Sequence, residues 1–375
     1  MQSRRQFLSA AAQAALATAL ARKCEASPED APGEWRNKQP GVAYRRLGRT
    51  NFQVSEIAMG GNTISPQNYE HVLAALDRGL NYLDTAPAYG RGKSEEGYAK
   101  VIKARDRDKF FLNSKISLWD INRNSLYQNI FDSLPGAEQD KFKGRVIDYI
   151  AESQAAKPEY FLNYFEGQRA ELESAALSNV MEQEYGRRID RGKNYKELIL
   201  KSVDQSLARL GTDHLDLMMC PHGANTGYEL KNFPEIFEAF EILKKAGKVR
   251  HLGVSAHTDP AGVLEAAVDS KVYSVAMVAY NIVNHSRIDA ALARAKRSDL
   301  GVLAMKVARP VNPGNGAADP ARVKLIADAI PGPLKVPQKA YVWALKNPGI
   351  TAAVSELVNQ QMVDDNLPLA GARKL

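Results

Sequence analysis

From about residue 44 onward, short runs of apolar and β-branched residues alternate with longer stretches of helical period, the pattern of successive parallel βα units. The apolar runs predict strands at 54–59, 82–85, 110–116, 215–220, 250–255, 274–280, 301–307 and 350–354. Between them, apolar positions recurring every three or four residues predict helices at 69–78, 95–103, 196–210, 234–245, 260–268 and 287–297. Gly79, Gly211, Gly247 and Gly301 punctuate the ends of these segments. Eight strands alternating with helices predict an α/β chain folded as one (β/α)8 TIM barrel over residues 44–368, with a tail at 369–375.

One connection breaks the rhythm. Some 70 residues separate the third strand from the next helix, where two to six are usual. Residues 118–190 are therefore expected to form an insertion, helical because Phe142, Val146 and Ile150 fall at i, i+4 spacing, as do Leu172, Ala176 and Val180. An aromatic cluster, Tyr160, Phe161, Tyr164 and Phe165, lies between them. The insertion leaves the C-terminal end of a barrel strand, the face that carries catalysis in barrels, so it is expected to act as a lid or substrate wall, with a structural cap or an oligomer contact as the alternative.

The first residues follow a different logic. Arg4-Arg5-Gln6-Phe7-Leu8 precedes an uncharged Ala/Leu-rich run over 9–21 that is too short to span a bilayer. Paired arginines, a mild apolar middle and Ala19-Leu20-Ala21 read as a twin-arginine export signal over 1–21, which implies the export machinery as a partner and a periplasmic location. Residues 22–43 are expected to be an unpacked linker.

Composition narrows the classes. Two cysteines exclude a disulfide framework and a cysteine-ligated metal or iron–sulfur site, and no spacing supports a zinc site through Cys220, His222 and His257. The formal charge of +7 is interspersed with acids along the whole chain, which argues against nucleic acid.

The chemistry-bearing residues cluster at strand ends. Leu83-Asp84-Thr85-Ala86-Pro87-Ala88-Tyr89-Gly90 closes the second predicted strand and Asn113-Ser114-Lys115-Ile116 the third. Asp216-Leu217-Met218-Met219-Cys220-Pro221-His222-Gly223 closes the fourth. With Tyr44–Asn51, Ser94-Glu95, residues 247–255 and Tyr280-Asn281, they resemble the aldo-keto reductases over residues 44–117 and 195–368. The resemblance implies hydride transfer between a nicotinamide cofactor, NADP or NAD, and a small carbonyl or sugar-like alcohol. In that scheme Tyr89 is the general acid, Lys115 lowers its pKa, Asp84 pairs with Lys115, and His222 orients the carbonyl oxygen. The usual histidine position is occupied by Pro221, one residue early, and a bulge at Cys220-Pro221 is expected to restore the aim.

On the cofactor side the resemblance implies Ser255, Tyr280, Lys306, Arg309 and Asn366. Trp119, at the opening of the insertion, is expected on the substrate side. The pattern departs at His257 and Met277, where Asn and Gln are usual, and at Leu357 and Met362, where a basic clamp for the 2′-phosphate would stand. Two alternatives therefore stay open: a non-redox binding or regulatory barrel, and a sugar-acting acid/base enzyme for elimination or epimerisation.

Overall fold

The computed structural model describes residues 33–314 and 316–372; the export-signal segment at 1–21 lies outside them. The strands are β1 (Glu34–Trp35), β2 (Tyr44–Arg46), β3 (Phe52–Ser55), β4 (Ile57–Gly60), β5 (Tyr82–Asp84), β6 (Phe111–Lys115), β7 (Leu215–Met219), β8 (Val249–Ala256), β9 (Val275–Ala279), β10 (Gly301–Met305) and β11 (Ala352–Ser355). Strands β4 to β11 close into an eight-membered parallel barrel in chain order. Parallel neighbours need crossover helices, which the chain provides as α1 (Glu70–Asp77), α2 (Lys93–Ala104), α6 (Leu198–Leu210), α8 (Pro234–Lys245), α9 (Pro260–Ser270), α10 (His285–Arg297) and α12 (Val336–Lys346). The insertion contributes α3 (Ser117–Asp132), α4 (Gly136–Ser153) and α5 (Gln168–Tyr185). Three further helices, α7 (Tyr228–Lys231), α11 (Pro320–Ala329) and α13 (Gln360–Asn366), sit in loops beyond β7, β10 and β11. No described helix is long and apolar enough to cross a membrane.

Alternation along the strands builds two cores. Phe111, Leu217, Met219, Val275, Met277 and Leu303 fill the barrel interior, while their neighbours, such as Leu112, Met218 and Ala276, face the helices. This parity decides which strand-end side chains reach the mouth of the barrel.

Two expectations need correction. The strand expected at 54–59 is two strands that part at Glu56, whose buried carboxylate accepts Arg45 Nε at 2.6 Å and Gly371 N at 2.8 Å. An extended run through that residue would bury the charge without partners. The expected linker is also partly structured: β1 pairs parallel with β3, and β2 pairs antiparallel with it. This small sheet closes the N-terminal end of the barrel. Arg36 stacks 4.6 Å over Phe111 and meets Asp216 at 3.1 Å, so an unpacked linker would leave an aromatic floor and a buried carboxylate without that cover.

Candidate active site

The mouth of the barrel is assembled from the C-terminal ends of β5, β6 and β7. Asp84 ends β5, and the β4–α1 loop comes so close above it that a Cβ on Gly61 would lie 2.1 Å from the Asp84 carbonyl oxygen. Only glycine fits there. Lys115 ends β6 with its side chain on the same inward face as Phe111 and Asn113, four and two residues back. Its Nζ donates to Asp84 Oδ1 at 2.5 Å, to the Thr85 carbonyl at 3.0 Å and to the Tyr89 hydroxyl at 3.1 Å. Three acceptors match the three protons of an ammonium group. Asn113 Nδ2 donates to the same Asp84 oxygen at 2.5 Å.

Tyr89 opens a short turn after β5, and His222 follows β7 beyond a cis Cys220–Pro221 peptide. The ladder to β8 is irregular at this point, Ser255 N donating to the Pro221 carbonyl at 3.3 Å and Ala224 N to the Ser255 carbonyl at 2.9 Å. The His222 ring stands edge-on to Tyr89 with centroids 5.8 Å apart, so all four expected residues, Asp84, Tyr89, Lys115 and His222, meet in one place. They come from three adjacent strands separated by up to 138 positions in sequence, and only barrel closure joins them.

Burial governs the protonation states. It pushes Asp84 up and Lys115 down, and their ion pair opposes both shifts. Burial, reinforced by the charge of Asp84, holds the Tyr89 phenol well above 10. The net shift of the resting tyrosine is therefore upward, set by burial and Asp84, with the Lys115 ammonium shared between that carboxylate and the phenol oxygen. The phenol is fully protonated at neutral pH, the state a proton donor requires. Burial, with Lys115 and His257 adding to it, holds His222 well below 6.5, and burial with Lys306 and Lys115 brings His257 down to about 3. Both imidazoles are neutral.

The remaining expected residues divide. Ser255 is buried on the inward parity of β8, shared with His251, whose ring meets Phe52 at 5.0 Å inside the barrel. Lys306 follows β10, close enough to His257 and Glu356 to act on the first and be acted on by the second. Arg309 lies in the same loop. Neither cation makes an ion pair among the described residues. Asn366 is buried, its Nδ2 on Ser355 Oγ at 3.1 Å at the end of β11.

Two residues are not brought to the mouth. Tyr280 has the outward parity: it stacks on Trp343 at 5.3 Å and its hydroxyl donates to Asp289 at 2.8 Å, between helices α10 and α12. Trp119 is fully buried against Tyr195 and Phe233, in the seam between the insertion and the outer helices.

Sequence reasoning missed the insertion's own contribution. Ser117 Oγ lies 2.7 Å from His222 Nδ1, and Asp120 Oδ2 accepts the backbone N–H groups of His222 and Gly223. The available signal was a Ser and an Asp at i, i+3, two and five residues after Lys115. The segment between α4 and α5 crosses to β8 and β9, where Tyr164 receives hydrogen bonds from Asn281 and Asn284, and Phe165 meets the His257 ring edge-on at 5.5 Å.

Comparison with known proteins agrees with this architecture. The model of the aldo/keto reductase family matches residues 56–167 and 186–312. The uncharacterized oxidoreductase YqkF of Bacillus subtilis is 25% identical over 236 residues, covering 62% of this chain and 55% of its own length. The aldo-keto reductase YhdN of the same organism is 36% identical over 98 residues, covering 24% of this chain and 29% of its own length. Among solved structures, the holo form of aldo-keto reductase AKR11C1 from Bacillus halodurans superimposes with a TM-score of 0.56 at 19% identity, covering 88% of this chain and 90% of that one. An aldo-keto reductase from Klebsiella pneumoniae in complex with NADPH has a TM-score of 0.54 at 20% identity, covering 88% and 90%. These structures share the fold.

Proposed function

The chain belongs to the aldo/keto reductase family, and from that premise we propose that it is a nicotinamide-dependent oxidoreductase acting on a small carbonyl or alcohol. The observation that carries this reading is the contact of Lys115 Nζ with both Asp84 and the Tyr89 hydroxyl beneath the His222 ring. Reducing a carbonyl leaves an alkoxide that needs one proton and a positive surrounding. Tyr89 holds the proton. Once it has left, Lys115 is already in place 3.1 Å from the phenolate oxygen, and the negative charge is stabilised without rearrangement. Asp84 keeps the ammonium aimed, and neutral His222 can hydrogen-bond the carbonyl oxygen.

The donor set suits a dinucleotide in part of its length. Ser255 offers an inward hydroxyl near the reacting end, and Lys306 and Arg309 offer cations to its phosphates. A bound dinucleotide supplies the hydride. Leu357 is buried and Met362 is apolar, so neither gives the bidentate grip on a 2′-phosphate that an arginine would. NADP or NAD therefore both remain in the proposal, as reductases of related fold crystallise with NADPH.

The test is Tyr89→Phe, which keeps ring volume and removes the proton donor. Oxidation of reduced dinucleotide by a panel of aldehydes and ketones should fall by roughly 10²–10⁴-fold, with little change in stability. Native turnover in this variant would end the assignment. Conversion of a sugar without any change in nicotinamide absorbance would favour the acid/base alternative.

We further propose export through the twin-arginine route to the periplasm, supported by Arg4 and Arg5 before the apolar run 9–21. Replacing both arginines by lysine should retain the protein in the cytoplasm. Unchanged fractionation outside the cytoplasm would overturn this.

A further inference from the structure

We propose that Ser117 and Asp120, at the start of the inserted helix α3, are positioning residues for His222: Ser117 sets the imidazole as the tautomer protonated on Nε2, and Asp120 fixes the backbone that carries the ring. This rests on the reading of His222 as a partner of the carbonyl oxygen.

The tautomer follows from counting protons around Ser117. Its hydroxyl has one proton and two lone pairs, and one lone pair accepts the Ala88 N–H at 3.3 Å. His222 Nδ1 lies 2.7 Å from the same oxygen. Were Nδ1 protonated, it would take the second lone pair, and the serine proton would have no acceptor among the described residues in a pocket where Ser117 is buried. With the serine donating to Nδ1, the hydroxyl proton, its lone pair toward Ala88 and the ring nitrogen are all paired. Neutral imidazole then carries its single proton on Nε2, the opposite edge of the ring, as a donor. Ser117 also touches the Tyr89 turn through Ala88, so one hydroxyl ties together the loops that bear both donors.

Asp120 lies one turn further along the same face of α3. Its Oδ2 accepts His222 N at 3.2 Å and Gly223 N at 3.3 Å. Cys220 N still pairs with Gly253 O at 3.0 Å and Pro221 has no N–H, so these are the first two donors to leave the barrel ladder, and nothing else in the described structure receives them. Ala224 N returns to the Ser255 carbonyl at 2.9 Å, and the two after it, Asn225 N and Thr226 N, go to Glu229 at 2.9 and 2.7 Å. Arg123, from the next turn of α3, pairs with that glutamate at 3.3 Å. The loop bearing His222 is thus moulded on α3, an element placed by the insertion and not by the barrel.

Histidine 15N spectra of the full chain without substrate read the tautomer directly, with His222→Gln used only to assign the signal. The native His222 should show an unprotonated Nδ1 and a protonated Nε2. Ser117→Ala should mix the two tautomers and lower kcat by roughly tenfold, with KM for the dinucleotide unchanged; Ser117→Thr should restore both. Asp120→Ala should speed amide exchange at His222 and Gly223, whereas Asp120→Asn, which keeps an acceptor, should not. A native Nδ1-protonated ring, or a tautomer indifferent to Ser117→Ala, overturns the proposal. Because the native spectrum needs no variant, a misfolded Ser117→Ala leaves it decidable. A Ser117-dependent tautomer in a chain that reduces no carbonyl would sink the proposed function and leave the positioning role standing.

Discussion

Asp120 shows how one buried carboxylate links the His222 loop to pH. Burial first, then the neighbouring charge of Glu229, raise its pKa to about 7, and the His222 and Gly223 amides and Arg123 only partly offset them. Buried Cys220 and Tyr273 share the pocket. In the unfolded chain an aspartate titrates near its ordinary 3.8. Between these values the folded state holds more protons than the unfolded one, so this group's contribution to stability is largest in acid and shrinks as pH rises towards 7. Asp120→Asn removes the titration but keeps the acceptor. The urea midpoint of the native chain should therefore drop more steeply between pH 4.5 and 7.5 than that of Asp120→Asn, and parallel curves would contradict the raised pKa. At this scale, Asp84, Tyr89, Lys115 and His222 were legible because they stand in the strand-end motifs that carry the resemblance to the aldo-keto reductases. Tyr280 and Trp119 were misplaced for one reason: an aromatic at the right position in sequence can still face the helices, and only strand parity and packing decide which way it turns.

The insertion was visible as a length anomaly with helical spacing, and its helices α4 and α5 carry the expected apolar positions Phe142, Ile150, Leu172 and Val180 inward. What it does was not legible, because its contacts are long-range. Tyr160 anchors the α4–α5 segment: its hydroxyl donates to Asp259 at 2.8 Å and accepts the buried Ala261 N–H at 2.8 Å, at the start of α9. Tyr160→Phe keeps the ring and its contact with Arg287 but leaves that N–H without an acceptor. It should cost about 1–3 kcal/mol in urea unfolding and speed amide exchange across residues 155–170. A loss below about 0.5 kcal/mol with unchanged exchange would mean that the segment is held by Tyr164 and its asparagine partners alone.

Across the molecule, both ends of the barrel carry elements outside the βα repeat: the insertion packs on the loops above, and β1 to β3 lie below. At the lower end Asp216 gathers Arg36 at 3.1 Å, Arg107 at 2.8 Å and Arg250 at 2.8 Å. Burial pushes its pKa up, but the charges of Arg107 and Arg36 and the Leu112 N–H outweigh burial and hold it below 3.8. An aspartate with a lowered folded pKa stabilises above its unfolded value and loses that contribution as pH falls through the folded one. Arg36→Ala should cost roughly 1–3 kcal/mol at pH 7, less than an isolated buried pair because two arginines remain. The gap between native and variant, followed by urea titration, should narrow below about pH 4. A gap that widens in acid would show that Arg36 acts through packing on Phe111 and not through Asp216.

By itself, the order of apolar runs and helical spacings determined the eight-stranded barrel and the place of the insertion, and the resemblance carried by the strand-end motifs pointed to the four polar residues at the mouth. Those features depend on local periodicity and on chemistry tied to strand ends, both written along the chain. The tertiary structure alone decided that residues 33–41 pack beneath the barrel, that Tyr280 faces the helices, and that Ser117 and Asp120 hold the His222 loop. Each depends on which distant groups are left with unpaired protons or uncovered rings once the barrel closes, and closure brings together residues that no local pattern relates.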